Sequence, residues 1–158
     1  AGTPAVDAEY RVPFLAHAPL EPMNATALRR GDTLEIWTGT QVPLFAVNVV
    51  AKVVGLDASQ IRLHELMSGG SFGRRLEVDF IVQAAELAMA HPDVPIKMTW
   101  TREEDFAHDF PRPMAIGRGR GAVRDGQVHA FDLKVASISV VQSQAARVNQ
   151  LVAGPDPM

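Results

Sequence analysis

The sequence contains no cysteine in 158 residues. This excludes disulfides, cysteine-ligated zinc and any iron–sulfur cluster held by the chain itself. It also lacks an excess of either charge, since 15 Lys and Arg against 18 Asp and Glu leave a net charge of −3 and a pI near 5.9. Proteins held to nucleic acid by phosphate neutralisation usually display a basic face, so nucleic acid is not an expected partner. Long apolar runs are missing too. The longest, Leu44 to Leu56, is broken by Asn48, Lys52 and Gly55 and falls short of the roughly 20 residues that span a bilayer. The sequence opens without Met and without a signal-peptide pattern, and it ends on Gly154-Pro155-Asp156-Pro157-Met158. It therefore reads as an excised piece, with residues 148–158 a flexible tail.

What is present is 47% hydrophobic residues, enough to give 158 residues one soluble domain with a real core. Prolines 4, 13, 19 and 22 disfavour helix near the start, so residues 1–30 are expected as an extended arm lying across other elements. Arg30-Gly31-Asp32 is a turn, after which Thr33 to Trp37 alternates polar and apolar as a half-buried strand does. Pro43 suits the first turn of a helix whose apolar face carries Phe45, Val49, Val50 and Val53, with Gly55 as its C-terminal stop. Gln60 to Met67 alternates again and runs into Ser68-Gly69-Gly70-Ser71-Phe72-Gly73. Glu77 to Ala90 reads as a largely buried helix stopped by Pro92, and Val94 to Trp100 as a third strand. Strand, helix and strand in this order imply parallel pairing, both for 33–67 and for 60–100.

Thr101-Arg102-Glu103-Glu104 resembles a capping box that opens a short helix. Arg124-Asp125-Gly126 separates the runs 115–123 and 127–140 and is a strong hairpin signal. Apolar parity changes between Val135 and Ala136, which predicts a bulge or an end of pairing there. The fold class expected is α/β (α+β): a small mixed sheet, two main helices, an extended N-terminal arm and a C-terminal β-hairpin.

Among residues that carry chemistry, the glycine-rich loop stands first. Gly69, Gly70 and Gly73 leave bare backbone whose N–H groups can approach a ligand, and a helix begins just after them. A tight strand-to-helix turn explains the same glycines equally well, but Phe72, a large aromatic among small residues, is an odd choice for a plain turn. Arg74 and Arg75 follow, and an arginine pair can grip phosphate in bidentate fashion. The spacing fits neither a dinucleotide-binding fingerprint nor a P-loop. His17, His64, His91, His108 and His129 lack metal-site spacing, and no Gly-x-Ser-x-Gly elbow anchors a hydrolase triad. Gln41, in the loop between the first alternating strand and the helix after it, either points its amide into a cleft or stabilises a turn.

Four motifs in order carry a family resemblance: Tyr10 to Ala27 with His17 and Glu21, Thr38-Gly39-Thr40-Gln41, Met67 to Asp79 around Phe72, and Trp100 to Asp105 with Pro111-Arg112-Pro113. Together they resemble the molybdenum-binding large subunit of molybdenum hydroxylases related to xanthine and aldehyde oxidases, in the bacterial isoquinoline 1-oxidoreductase beta-subunit branch. The resemblance covers the first part of the molybdopterin-binding region. It implies that the Gln41 amide hydrogen-bonds an oxo ligand of molybdenum and that the backbone of Gly70, Ser71, Phe72 and Gly73 packs against the metal centre. With the flanking Gly69 and Arg74, these residues form the candidate cofactor-binding set.

The cofactor implied is molybdopterin, in its cytosine dinucleotide form, with molybdenum held by the pterin rather than by protein ligands. The implied reaction hydroxylates an N-heterocycle or an aldehyde with oxygen from water. No catalytic residue falls within this chain, because the general-base glutamate of the family lies in a more C-terminal segment; the piece alone is expected to be inactive. Implied partners are the remainder of the large subunit, a small iron–sulfur subunit and a small heterocyclic or aldehyde substrate, in a bacterial cytoplasm or periplasm. Arg74-Arg75-Leu76 departs from the xanthine oxidase pattern, which speaks against purine recognition. The competing readings are a noncatalytic phosphate- or nucleotide-binding domain working through Arg74 and Arg75, and a scaffold domain.

Overall fold

A computed structural model describes residues 5–153. The chain divides into two compact units: residues up to Ala16 with Pro111–Ser143 form one, and His17–Phe110 with the chain from Gln144 form the other.

The larger unit holds a four-stranded sheet in the order β4-β3-β2-β5, built from β2 (Asn24–Arg30), β3 (Thr33–Thr38), β4 (Ile61–Glu65) and β5 (Ile96–Thr99). Helices α1 (Pro43–Val54) and α2 (Asp79–Ala90) pack on it and on each other. The alternation seen in the sequence sends Leu34 and Ile36 of β3 and Ala25 and Ala27 of β2 into the core, where Val49, Val50, Phe80, Ile81 and Ala84 meet them. Alanines on β2 and α2 remove side-chain bulk, so helix and sheet approach closely. Burying Phe80 and Ile81 completely contributes about 1.5–3 kcal/mol each. Pro43 stands in the first turn of α1, and Gly55 ends it in the left-handed region at φ 71°, the conformation glycine adopts without penalty.

The parallel pairing expected for 33–67 is present between β3 and β4. That expected for 60–100 is not. β5 pairs antiparallel with β2, Asn24 opposite Thr99, because α2 crosses over β2 and delivers the next strand beyond it rather than beside β4. The extended arm is likewise corrected: β2 lies inside the sheet, bonded to β3 and β5. Small Ala25 and Ala27 and the nearby prolines make its strand signal weak.

The smaller unit is an antiparallel sheet in the order β1-β6-β7, made of β1 (Ala5–Val12), β6 (Ala115–Arg124) and β7 (Gln127–Ser137). The hairpin turns at Asp125 and Gly126, both at positive φ, as a type I′ turn requires. Its register shifts between Ala122 and Val123, leaving His129 as the extra residue. The bulge therefore precedes the parity change at Val135, and pairing ends at Ser137. Helix α3 (Arg102–Ala107) starts where Thr101 accepts a hydrogen bond from the Glu104 amide at 3.1 Å. Helix α4 (Val140–Ala153) covers 148–153 of the expected tail; residues 154–158, like 1–4, lie outside those described.

Candidate functional site

The site grows from the segment that joins β4 to α2. Its glycines have three different reasons. A Cβ on Gly69 would stand 2.8 Å from the Cβ of Glu21, and one on Gly70 would stand 3.1 Å from Leu20, with φ already at +69°. Gly73, at φ +106°, has ordinary space around it and is required for its backbone conformation. Phe72 also sits in the left-handed region, φ 52°, with half its surface exposed. Non-glycine residues held there are strained and tend to gather at functional sites.

The loop is fastened on both sides. The amides of Leu20 and Glu21 donate to the carbonyls of Gly70 and Gly69 at 3.0 Å each. The Gly69 amide donates to Glu21 Oε2 at 2.7 Å, a carboxylate that also accepts from Asn24 at 2.9 Å and faces Arg75 at 3.3 Å. Burial raises the Glu21 pKa, but the bonds from Asn24 and Gly69 and the Arg75 charge outweigh it and hold the group below its ordinary value. On the other side, the Gln41 amide donates to the Arg75 carbonyl at 3.1 Å and the Thr40 hydroxyl donates to the same oxygen at 3.3 Å. Gln41 and the end of the loop at Arg75, 34 residues apart in sequence, are thus bolted together. The Gln41 side chain is exposed, and among the described residues its carboxamide makes no hydrogen bond.

Arg74 and Arg75 are fully buried. Arg74 is bidentate to Asp79, at 3.0 and 2.7 Å, and lies near the faces of Trp100 and Phe110 at 5.5 and 5.3 Å. Its Nε is 3.5 Å from Asp109 Oδ1. Arg75 donates to the Gly39 carbonyl at 2.8 Å; burial lowers its pKa, against Glu21 and Asp105, which raise it. Neither guanidinium faces outward. Both side chains are turned inside the fold, so neither presents an open charge to a phosphate on the surface.

Asp109 also accepts from the His17 backbone amide and from His17 Nδ1, the latter at 2.8 Å. Sequence reasoning assigned no role to His17, Glu21, Asp79 or Asp109. The partners of His17, Glu21 and Asp109 lie 48 or more positions away, so no local spacing reveals them, and Asp79 matters only once packing turns Arg74 inward; only the resemblance motifs contain His17, Glu21 and Asp79.

The loop from Gly70 to Gly73 presents one further property. Within the described residues no group accepts a hydrogen bond from the amides of Gly70, Ser71, Phe72 or Gly73, although the flanking Gly69 and Arg74 amides are both bonded internally. Four consecutive free amides beside an exposed carboxamide form a ready site for oxygen acceptors. The bare cradle and its free amides fit a group that presents oxo or other oxygen atoms.

Fold and loop together define an α/β domain that presents a glycine-rich loop with open backbone amides. The chain belongs to the molybdopterin cofactor-binding domain family, whose pattern matches residues 1–148. It is 32% identical over 133 residues to a membrane-bound aldehyde dehydrogenase (pyrroloquinoline-quinone) of Gluconacetobacter polyoxogenes, covering 84% of this chain and 17% of that protein. It is 31% identical over 134 residues to the isoquinoline 1-oxidoreductase subunit beta of Brevundimonas diminuta, covering 83% and 17%. The fold is shared with quinoline 2-oxidoreductase from Pseudomonas putida 86, at TM-score 0.64 and 21% identity over 84% of this chain and 17% of that one. Aldehyde oxidoreductase from Desulfovibrio gigas gives 0.65 and 22% over 84% and 15%. The chain thus spans 17% of the length of the curated relatives named here. It is a molybdopterin-binding domain homologous to parts of aldehyde- and N-heterocycle-oxidising enzymes. Among the described residues no helix is long and apolar enough to cross a membrane.

Proposed function

We propose that this chain forms one wall of the molybdopterin site in a larger oxidoreductase that hydroxylates an N-heterocycle or an aldehyde. Gln41, through its carboxamide, and Gly70, Ser71, Phe72 and Gly73, through their amides, face the metal end of the cofactor. Gly69 holds the loop to Glu21, and Arg74 anchors it from inside. The observation that carries this reading is the bolting of an unpaired Gln41 carboxamide to a loop of four unpaired amides through the Arg75 carbonyl. Bound there, the cofactor supplies the redox-active molybdenum at which oxygen from water passes to the substrate carbon.

The cytosine dinucleotide form of the pterin belongs to the same proposal, as do a small iron–sulfur subunit and the remainder of the large subunit as partners. These 158 residues contain no cysteine to hold an iron–sulfur cluster, so in this reading the electrons leave through a part of the enzyme outside them. The general base belongs to a segment outside this one, and these 158 residues alone do not turn over.

The test measures molybdenum and pterin in the full-length subunit co-produced with its partner, beside Phe72→Ala and Gly73→Val. Near-stoichiometric cofactor in the parent, and its loss or inactivity in the variants, supports the site. A folded parent with neither metal nor pterin overturns it, as does steady-state hydroxylation by the 158-residue piece for the claim of inactivity.

A further inference from the structure

His17 is held in a way that packing alone does not require. Its backbone amide and its Nδ1 both bond the one carboxylate of Asp109, 92 residues away. The His17 and Asp109 side chains are only 11% and 3% exposed. Asp109 is in turn faced by Arg74, itself locked by Asp79. A carboxylate accepts, so Nδ1 carries a proton, and in the neutral imidazole Nε2 is then the acceptor.

That Nε2 is the nearest heavy atom to where a Gly73 side chain would begin, at 3.5 Å, with Cδ2 at 3.6 Å. Among the described residues it has no hydrogen-bond partner, and it is not among the sealed polar atoms. The next residue, Ala18, is held at φ 45°, a strained conformation for alanine. An oriented acceptor therefore stands beside a row of four donors.

We propose that His17 is a further ligand-binding residue of the loop site, its Nε2 accepting a hydrogen bond from an N–H or O–H of the bound pterin cofactor next to Gly73. The inference rests on the molybdopterin reading above and extends it: the ligand must show oxygen acceptors to the Gly70–Gly73 amides and a donor to Nε2.

The experiment uses the full-length subunit with its partner and follows pterin release after dilution by fluorescence of the filtrate. His17→Phe keeps a ring of similar size but has no acceptor; release should be about tenfold faster, the worth of one lost hydrogen bond. His17→Gln, which keeps an acceptor, should restore retention to within about threefold of the parent. Asp109→Asn gives an independent arm. The His17 backbone amide can only donate, so it claims the Asn oxygen; the Asn NH₂ then faces Nδ1 and drives the imidazole proton to Nε2, and pterin release should again be fast. Parent-like release from His17→Phe overturns the inference, or from Asp109→Asn if His17→Phe does not fold. A parent that binds no pterin overturns the underlying reading as well, so the two failures are distinct.

Discussion

Arg74 shows how far a side chain's neighbours can reverse what its sequence position suggests. Two consecutive arginines after a glycine loop look like an anion grip, and only tertiary packing turns them inward. Removing one partner from a buried ion pair leaves an uncompensated charge, so Asp79→Asn should destabilise the domain by about 3 kcal/mol, read as a lowered melting temperature of the full-length subunit. Glu21 supplies a pH dependence. Its folded pKa lies below the ordinary 4.5, so its contribution is fully present above pH 4.5 and is lost as pH falls through the lowered folded value. Limited proteolysis across residues 66–73 should accelerate below pH 4.5 in the parent. With Glu21→Gln the rate should be higher at neutral pH and much flatter with acid; an unchanged acid profile would show that the loop is held without this carboxylate. The glycine-rich loop and Phe72 were visible as a candidate because they stand in consecutive residues, whereas Gln41, some 30 positions earlier, joined them only through the family resemblance. His17, Asp109 and Glu21 were not visible in this way, since their meaning depends on partners 48 to 92 positions away.

At the scale of elements, local signals served wherever the element is decided by its own residues. Pro43 and Gly55 bracket α1, Thr101 caps α3, and Asp125-Gly126 turns the hairpin, each by a φ/ψ or hydrogen-bond requirement satisfied within a few residues. Pairing is another matter. The partner of β5 follows from where α2 packs, and β2 hides its strand character behind alanines and prolines. α4 was missed because Val140 and Val141 continue a run that reads as strand, while Gln144 and Arg147 find their partners at Leu76 and Glu77. The loop between β4 and α2 carries an element-scale prediction. Gly69→Ala drives a methyl into Glu21, whose near end and carboxylate both stand 2.8 Å away, so the Leu20–Gly70 and Glu21–Gly69 bridges must open. A cost of about 1–3 kcal/mol and faster proteolysis within 66–73 are expected. Gly31→Ala, where φ is also positive but nothing crowds the new methyl, should cost only the conformational penalty of about 1 kcal/mol.

Taken whole, the molecule divides its labour unevenly. Every residue of the candidate site, from His17 to Asp109, lies in the larger unit, where the sheet and two helices make a rigid base. Among the described residues the sheet of the smaller unit packs no helix of its own, and its register sorts side chains sharply. One face carries charge, with Asp7 between Arg118 and Arg120. The other carries Val6, Tyr10, Phe131 and Val135 on either side of Gly117 and Gly121, and the last two of those side-chain-bearing residues are 70% and 61% exposed. Folded chains seldom leave a contiguous apolar sheet face this open, because water is a poor neighbour for it. β7 adds an unpaired edge of eleven residues, a template on which another strand can form. The isolated 158-residue chain should therefore self-associate at micromolar concentration, sedimenting well above 17.1 kDa. Phe131→Lys with Val135→Lys puts charge on the open face while leaving the larger unit untouched, and should return the chain to a monomer. A parent that sediments as a monomer at the same concentration would show that this face does not drive association.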